Sequence, residues 1–431
     1  MNAEERRRLL DEVGHSANCS NPIRLSGETV NLATGEVTAA TLRVACKDRR
    51  HVVCPACSYL YKADAWILVA SGLVGGKGVD PAVGTHPRLF VTLTAPSFGP
   101  VHTITDQGRC VSRHRDRRDG PRTCPHGRSM SCPQRHAESD PELGRPLCAE
   151  CFDYEGAVLW NAHASRLWSA TVQRIRRGLA DQGDVIQSEL NAHGRLHYLK
   201  VAEMQRRGLV HVHAIFRGDG PDEPSSAPPG WLTATSVARV VRRAVRDTEL
   251  TGLDGVTRRW GRVLDVRDLA SRPEDALKVS SYVAKYATKT TDGSRELARR
   301  FHSREQVETL IGDPHARRLA LTAWDLAGRP EYESLNLWAH AHAFGFTGQL
   351  ITKSRAYSTT FGALREARAD FMAARRPSDP LEVVVHYDGR GYDDPRAAQL
   401  AELFFEMQRD VREAAAATRR EALVDGLEGP F

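Results

Sequence analysis

The sequence predicts an α+β protein with an antiparallel sheet, flanking helices and small zinc-binding modules. Three observations lead to this prediction: a strand–loop–strand pattern over residues 196–217, helical stretches on both sides of it, and cysteines paired as Cys-x-x-Cys. The strands and helices are distinguished by the period of their apolar residues. With 431 residues and 41% hydrophobic content, the chain can bury a substantial core and is long enough for two or three domains.

The first 80 residues are predicted to form a cysteine-rich, ribbon-like zinc module. Residues 1–14 have the pattern of a short charged helix, and a hairpin is expected to turn at Thr34-Gly35. Cys54-Pro-Ala-Cys57 has the spacing of a knuckle that presents two thiolates to one tetrahedral ion. Buried cysteines without a metal are the alternative. The predicted zinc ligands are Cys19, Cys46, Cys54 and Cys57.

The chain is expected to be cytoplasmic. Its first residues are charged and helical, unlike a signal peptide, and its longest apolar run, residues 65–74, is too short to cross a bilayer. In that compartment nine cysteines favour metal binding over disulfides, and their odd number leaves at least one thiol unpaired.

A strand over residues 87–96 is followed by an insertion, at about residues 105–152, that is rich in Arg, Gly, Pro, Cys and His. A segment with so few apolar residues cannot pack a core alone, so a metal ion is expected to organise it. The predicted ligands of this second structural zinc are Cys124, Cys132, Cys148 and Cys151, with His126, His136 and Cys110 as substitutes.

The insertion also carries the excess positive charge of the chain. Residues 109–135 contain eight arginines and two acidic residues, an excess equal to the +6 net charge of the whole chain. A basic block beside a near-neutral remainder indicates phosphate contact at one place, although a solvated loop has the same pattern. The predicted DNA-binding residues are Arg113, Arg115, Arg117 and Arg118.

Residues 196–217 are predicted to form a β-hairpin that carries a metal site. His211 and His213 lie two apart on an apolar strand, so their imidazoles share one face. With a three-residue loop that ends at a left-handed Gly208, Glu203 lies opposite His211 on that face. A two-residue loop would turn the carboxylate away. Two imidazoles and a carboxylate suit Mn²⁺ or Mg²⁺, whereas the alternative is a core strand with two incidental histidines.

A helix with two tyrosines is predicted about seventy residues later. Ser271 and Glu274 form a capping-box pattern at its start. The chain has 8 lysines against 52 arginines, yet three lysines fall on this helix, which favours a compact charge beside a phosphate. The alternative is an ordinary amphipathic helix. One stripe of the helix, spaced i, i+3, i+4 and i+7, contains Tyr282, Lys285, Tyr286 and Lys289.

These motifs resemble those of the rolling-circle replication initiators, a group of HUH endonucleases. HVHAIF at 211–216 resembles their His-hydrophobe-His motif, YVAKYATK at 282–289 their two-tyrosine motif, and FVTLT at 90–94 their first motif. The tyrosines follow the histidines, as in replication initiators, whereas relaxases have the reverse order. Segments between residues 54 and 361, including CPACSYLYKADAW and GQLITKSRAYSTTF, resemble actinobacterial plasmid replication initiators, so the resemblance covers most of the chain.

The resemblance implies a fold and a reaction. The fold is an HUH-type antiparallel sheet with the His strand in its centre. A tyrosine is expected to attack single-stranded origin DNA, which leaves a 5′-phosphotyrosine and a free 3′-OH to prime synthesis, and to rejoin strands at termination. The lysines of the tyrosine helix would steady the tyrosinate or the phosphate. Duplex origin DNA and a DNA polymerase are the implied partners.

A partner is also expected to unwind the DNA. Residues 71–78 depart from the phosphate-loop motif at two positions, so no ATP-driven helicase is encoded and a host helicase is expected instead.

Further elements follow from the apolar periods. Helices are predicted over residues 154–180, 235–248, 295–311 and 358–374, and a strand over 260–266. The predicted domains are the zinc module 1–80, an endonuclease core 81–290 that contains the insertion, a helical region 291–376 and a charged helical tail 377–431.

Three rival functions differ in chemistry. A zinc-dependent DNA-binding regulator would explain the cysteines and the basic block but not the His and Tyr motifs. A relaxase or transposase would share the chemistry but fits the motif order less well. A metal-dependent hydrolase would use water and leave no covalent intermediate.

Overall fold

The computed structural model describes residues 3–104, 108–110, 123–222, 226–269, 273–288, 296–375 and 381–425. The strands are β1 (Ile23–Asn31), β2 (Val37–Val44), β3 (Arg88–Leu93), β4 (Arg195–Met204), β5 (Val210–Asp219), β6 (Glu249–Thr251), β7 (Thr257–Arg259), β8 (Leu264–Asp268), β9 (Ile351–Lys353) and β10 (Leu381–Arg390). The helices are α1 (Ala3–His15), α2 (Pro55–Val74), α3 (Tyr154–Gln182), α4 (Leu190–His193), α5 (Ala234–Asp247), α6 (Pro273–Ala287), α7 (Arg304–Leu310), α8 (Pro314–Leu326), α9 (Phe361–Arg375) and α10 (Pro395–Asp425). Short 3₁₀ helices occupy Pro81–Thr85, Glu296–Ala298, Pro330–Leu335, Leu337–Ala343 and Arg355–Tyr357.

The predicted α+β class with antiparallel sheets is confirmed, and the chain forms two compact units. One unit joins residues 1–64 with 362–431, and the other comprises residues 65–361. The predicted domains follow chain order instead, because sequence periods do not reveal pairing between distant segments. None of the described helices has the length and apolar character that crossing a bilayer requires.

The first unit is built on a three-stranded sheet with the order β10–β1–β2. Both pairings are antiparallel, and the β1–β2 hairpin turns through Gly35, whose φ of +72° matches the predicted turn. Helices α1 and α10 share a small apolar cluster. Its buried members are Leu9, Val13, Ala397 and Ala401.

Strand β10 differs from the sequence prediction of a charged helical tail over residues 377–431. It precedes α10 and pairs with the whole of β1. The β-branched run Val383–Val385 favours a strand, and the pairing satisfies backbone groups along one edge of β1. The paired residues of the two strands are at least 350 positions apart in the chain, so local periodicity could not indicate the pairing.

The second unit contains the five-stranded antiparallel sheet β8–β3–β5–β4–β9. Strand β5, which carries the two histidines, is central, as the sequence led us to expect. Helix α3 is buried along most of its length, and its Asn161 side chain ties it to the hairpin. The Asn161 amide donates to the Gly208 carbonyl at 2.8 Å and accepts from the Val210 amide at 3.0 Å. The hairpin therefore rests on a fixed polar contact within the core.

Two predicted elements of this unit differ from the structure. The strand expected over residues 260–266 is β8, which starts at Leu264, because Trp260 is buried and its indole donates to Thr171 instead. The helix expected over residues 295–311 is divided into a 3₁₀ turn and α7. Ser303 causes the division, since its side chain accepts the Gln306 amide and starts a new helix.

Candidate functional site

Strands β4 and β5 form the predicted hairpin with the register on which a metal site depends. The loop has three residues, and Glu203 lies opposite His211. Gly208 adopts a φ of +75°, and a Cβ there would lie 2.1 Å from Leu319 Cδ1. Glycine is therefore needed for both the conformation and the space.

His213 occupies the centre of the site. Its ring is buried, and Nε2 lies 3.4 Å from the Glu203 carboxylate. On the other side, Nδ1 lies 3.3 Å from the Thr92 hydroxyl of β3. The His211 ring is 4.6 Å away, and the Phe90 ring stacks on His213 at 5.8 Å. One face of the sheet thus carries two imidazoles, a carboxylate and the aromatic ring of Phe90.

His211 supplies a neutral imidazole. Burial, and then the neighbouring His213, lowers the pKa of His211 to about 4, so the ring is uncharged at neutral pH. Within the described residues, its buried Nδ1 has no hydrogen-bond partner. A buried polar atom needs a partner, so the site fits a ligand that the protein does not itself provide. The nitrogen and oxygen donors suit Mn²⁺ or Mg²⁺.

Helix α6 brings both predicted tyrosines to His213. Its buried Val283 and Ala287 pack inward, while the ring of Tyr282 lies 5.2 Å and that of Tyr286 lies 5.0 Å from the His213 ring. The two tyrosine rings are 4.8 Å apart, as expected one helical turn apart. The two phenols and the two imidazoles therefore form one continuous cluster.

The two tyrosines differ in environment. Tyr282 is 43% exposed, so its phenol is accessible to a ligand. Tyr286 is half-buried, and burial together with Tyr282 and the charge of Glu203 raises the pKa of Tyr286 above its usual value. Tyr286 therefore keeps its proton at neutral pH in the free protein.

Of the two predicted site lysines, Lys285 lies among the described residues and Lys289 does not. Lys285 is exposed, with Nζ 6.0 Å from the centroid of the Tyr286 ring. Ser271, half of the predicted capping box, is outside the described residues, and the described helix begins at Pro273. The predicted residues that also lie outside the described part of the chain are Lys289, Arg113, Arg115, Arg117 and Arg118.

Phe90 and Thr92 lie in the segment FVTLT, which resembles the first motif of the family, but neither was predicted individually as a site residue. They alternate on β3, where Thr92 lies opposite His213, and Phe90 also contacts the Tyr282 ring at 5.9 Å. Strand alternation places both side chains on one face, and the pairing of β3 with β5 turns that face toward His213.

The four predicted N-terminal zinc ligands lie together in the first unit as the four-cysteine cluster. The sulfur atoms of Cys19, Cys46, Cys54 and Cys57 are all within 4.8 Å of one another. The Cys46 amide donates to the Cys19 sulfur at 3.3 Å. Four adjacent thiols resist joint ionisation, and the Cys19 thiol raises the pKa of Cys57. A divalent cation would remove this conflict, so the set fits tetrahedral zinc.

The insertion contains two clusters of donors where the sequence predicts one. The knuckle cluster is Cys124, His126, Cys148 and Cys151, and the histidine cluster is His102, Cys110, Cys132 and His136; within each, all donors lie within 4.8 Å of one another. Three predicted cysteines thus meet with His126, but Cys132 lies in the other cluster. Two backbone bridges accompany this division: the bridge of Arg109 with Arg135 adjoins Cys110 and His136, and that of Thr123 with Ser129 encloses Cys124 and His126.

The hairpin donors are looser than these clusters. Among the described residues, the groups whose His, Cys, Asp or Glu donors lie within 4.8 Å of one another are the three just described. His211, His213 and Glu203 are not one of them, so binding of an ion there needs side-chain adjustment on a fixed backbone.

Comparisons with known proteins give a consistent result. A family model described as RepSA, replication initiator protein, pSAM2, matches residues 5–406. A replication initiator protein of Streptomyces ambofaciens is 36% identical over 456 aligned positions, which cover 98% of this chain and 94% of that relative. No solved structure matches the chain.

Proposed function

The chain belongs to the replication initiator family described for pSAM2, and we propose that it starts plasmid replication by nicking single-stranded origin DNA. The nick is made by tyrosine transesterification, which leaves a 5′-phosphotyrosine and a free 3′-OH. The same chemistry in reverse rejoins strands at termination. HUH-type catalysis by two tyrosines is the mechanism that the site supports best.

One observation carries this proposal: the Glu203 carboxylate and both tyrosine rings lie against His213. Its Nε2 is 3.4 Å from Glu203, and the two ring-to-ring distances are 5.2 and 5.0 Å. A regulator that only binds DNA has no need for phenols beside a mixed imidazole–carboxylate site. Nucleophile and metal donors at one place are what phosphoryl transfer requires.

His211, His213 and Glu203 would hold the catalytic Mn²⁺ or Mg²⁺. The neutral His211 ring and its unsatisfied Nδ1 support this assignment. A bound divalent ion would polarise the scissile phosphate and offset the charge that develops on its oxygens.

The attacking tyrosine exchanges one phosphodiester bond for another. Its phenol proton passes to water, its oxygen bonds to phosphorus, and the bond from phosphorus to the 3′ oxygen breaks. That oxygen takes up a proton and becomes the free 3′-OH. The bond energy is kept in the phosphotyrosine, so rejoining needs no ATP. Lys285, together with Lys289, would offset the negative charge on the tyrosinate or the phosphate.

The remaining parts of the chain would bind the origin. The four-cysteine cluster and the knuckle cluster are proposed as structural zinc sites, and the arginines of the insertion, among them Arg113, Arg115, Arg117 and Arg118, would contact phosphates. A host helicase would unwind duplex origin DNA, and a polymerase would extend the 3′-OH.

The test is a denaturing gel of the full chain with a labelled single-stranded origin oligonucleotide and Mn²⁺. We expect a covalent protein–DNA band that requires the metal and is lost in the double variant Tyr282→Phe/Tyr286→Phe. The two single variants show which tyrosine attacks first. Tyr387→Phe, which changes an exposed tyrosine of the other unit, is the matched control and should leave the band intact.

Two outcomes would replace the proposal. Cleavage without a covalent band would indicate a hydrolase that uses water. Specific binding without cleavage on any origin strand would indicate a zinc-dependent regulator.

A further inference from the structure

The nine cysteines of the chain are divided among three clusters as four, three and two, and three histidines bring the second and third clusters to four donors each. We propose that the histidine cluster, His102, Cys110, Cys132 and His136, binds a zinc ion of its own. The chain would then hold three structural zinc ions, and each of its nine cysteines would be a zinc ligand.

The distances within the histidine cluster match a zinc tetrahedron. Bonds of about 2.3 Å to sulfur and 2.0 Å to nitrogen give donor-to-donor edges of roughly 3.3 Å between nitrogens and roughly 3.5 Å between nitrogen and sulfur. The His102 and His136 nitrogens are 3.2 Å apart, and the Cys132 sulfur lies 3.6 Å from His136 Nε2. The Cys110 sulfur lies 3.9 Å from His102 Nδ1. The space between the four atoms therefore has the size of a zinc ion.

His136 is oriented as a metal ligand. The ring is buried, and its Nδ1 lies 2.7 Å from the Asp140 carboxylate, so the N–H donates there and Nε2 keeps its lone pair for the cluster. The Glu142 amide donates to the other Asp140 oxygen at 2.8 Å and fixes the carboxylate. A carboxylate behind a ligating imidazole is a common arrangement at zinc sites.

The backbone holds the two halves of the histidine cluster together. The Cys110 amide donates to the Gln134 carbonyl at 3.2 Å, and the His136 amide donates to the Gly108 carbonyl at 2.8 Å. The Thr103 amide points at the Cys110 sulfur at 3.4 Å, which suits a thiolate. The donors thus come from two chain segments that one antiparallel bridge, Arg109 with Arg135, holds side by side.

The segment next to the histidine cluster also contacts the β4–β5 hairpin, which carries His211 and His213. Arg206, in the hairpin loop, donates to the Asp140 carbonyl at 2.7 Å. Gly144 approaches the same loop so closely that a Cβ there would lie 2.6 Å from the Arg206 carbonyl carbon. An ion at this cluster would therefore fix the segment that supports the hairpin tip.

The test begins with the zinc content of the full chain, measured by elemental analysis. The count uses the His211→Ala/His213→Ala background, so that the hairpin site adds no zinc. We expect three ions per chain, and X-ray absorption should give three sulfur and one nitrogen donors per zinc on average. Two ions, with more than three sulfurs per zinc, would overturn the proposal without any variant of the cluster being needed.

Two cysteine variants show whether the clusters are separate. Cys132→Ser and Cys151→Ser should each remove one zinc ion, and the double variant should remove two, because the cysteines belong to different clusters. If Cys132 and Cys151 ligate the same ion, the double variant will lose only one, and the proposed third site is excluded.

Discussion

The hairpin site and the insertion both gather metal-ligating side chains, but different forces hold them. On the hairpin, register and core packing fix the backbone: Glu203 faces His211 across paired strands, and Asn161 ties the loop to α3. Within the described part of residues 97–152, the buried apolar side chains besides cysteines are Leu143 and Phe152. The fold would therefore shape the proposed hairpin site before an ion binds, whereas the proposed zinc ions would themselves organise the insertion.

This difference matches the chemistry that each place would perform. A catalytic ion must exchange phosphate oxygens during the reaction, so loose donors on a rigid sheet are an advantage. A structural ion must not move, so four close donors with no open position are expected. The donors of the three clusters lie within 4.8 Å of one another, as expected for structural sites, whereas the hairpin donors are farther apart, as expected for a catalytic site.

The largest expected effect is that of zinc removal. Stripping zinc from the full chain should abolish hydrogen-exchange protection in residues 123–152, because structural zinc contributes apparent free energies of about 10–16 kcal/mol in zinc-finger peptides. Strands β4 and β5 should keep their protection. Dialysis against buffer without Mn²⁺ and Mg²⁺ is the control and should change neither region. If the insertion kept its hydrogen-exchange protection without zinc, it would not depend on an ion for its structure and would not differ from the hairpin in this respect.

A smaller effect is expected from the buried ion pair at the end of β5. Asp219 and Arg217 are fully buried and 2.8 Å apart. Asp219→Ala should lower the free energy of unfolding of the second unit by about 3–5 kcal/mol, because the Arg217 charge stays buried without its partner. Thermal or urea unfolding measures it, and the loss should be the same with and without Mn²⁺.

The matched control is Asp265→Ala. Asp265 pairs with Arg267 at 2.6 Å with the same two-residue spacing on a strand, but both side chains are exposed. The expected loss is at most about 1 kcal/mol. A loss for Asp219→Ala as small as that for Asp265→Ala would show that the buried pair of β5 does not stabilise the sheet.

The smallest effect is a pH dependence from the same carboxylate. Burial alone would raise the pKa of Asp219, but hydrogen bonds from His86 and Arg217 outweigh it and hold the pKa below its usual 3.8. The stabilisation is therefore complete above about pH 4 and is lost as the pH falls through the folded-state pKa. Asp219→Asn should flatten this acid limb of the stability curve, and an unchanged limb would contradict the assignment.

The sequence predicts most of the candidate site because its determinants are local. A three-residue loop with Gly208 sets the register of Glu203 and His211, and one helical turn separates Tyr282 from Tyr286. The four-cysteine cluster is likewise found from the cysteine spacing alone.

What sequence reasoning missed depends on long-range pairing. Strand β10 meets β1 across the length of the chain, and the contact of Thr92 with His213 depends on the exact register of β3 on β5, which the first-motif resemblance does not give. Cys132 lies beside His136 and apart from Cys124, since backbone bridges divide the insertion, and spacing among seven candidate ligands cannot show that division.

The most direct measurement of the proposed chemistry is to locate the DNA on the protein. Wild-type chain is incubated with single-stranded origin DNA and Mn²⁺, treated with nuclease and trypsin, and analysed by mass spectrometry. Trypsin cleavage after Lys278, Lys285 and Lys289 places Tyr282 on peptide 279–285 and Tyr286 on peptide 286–289. A nucleotide phosphate on either tyrosine is the predicted result. Cleaved DNA with a free 5′-phosphate and both peptides unmodified would contradict it.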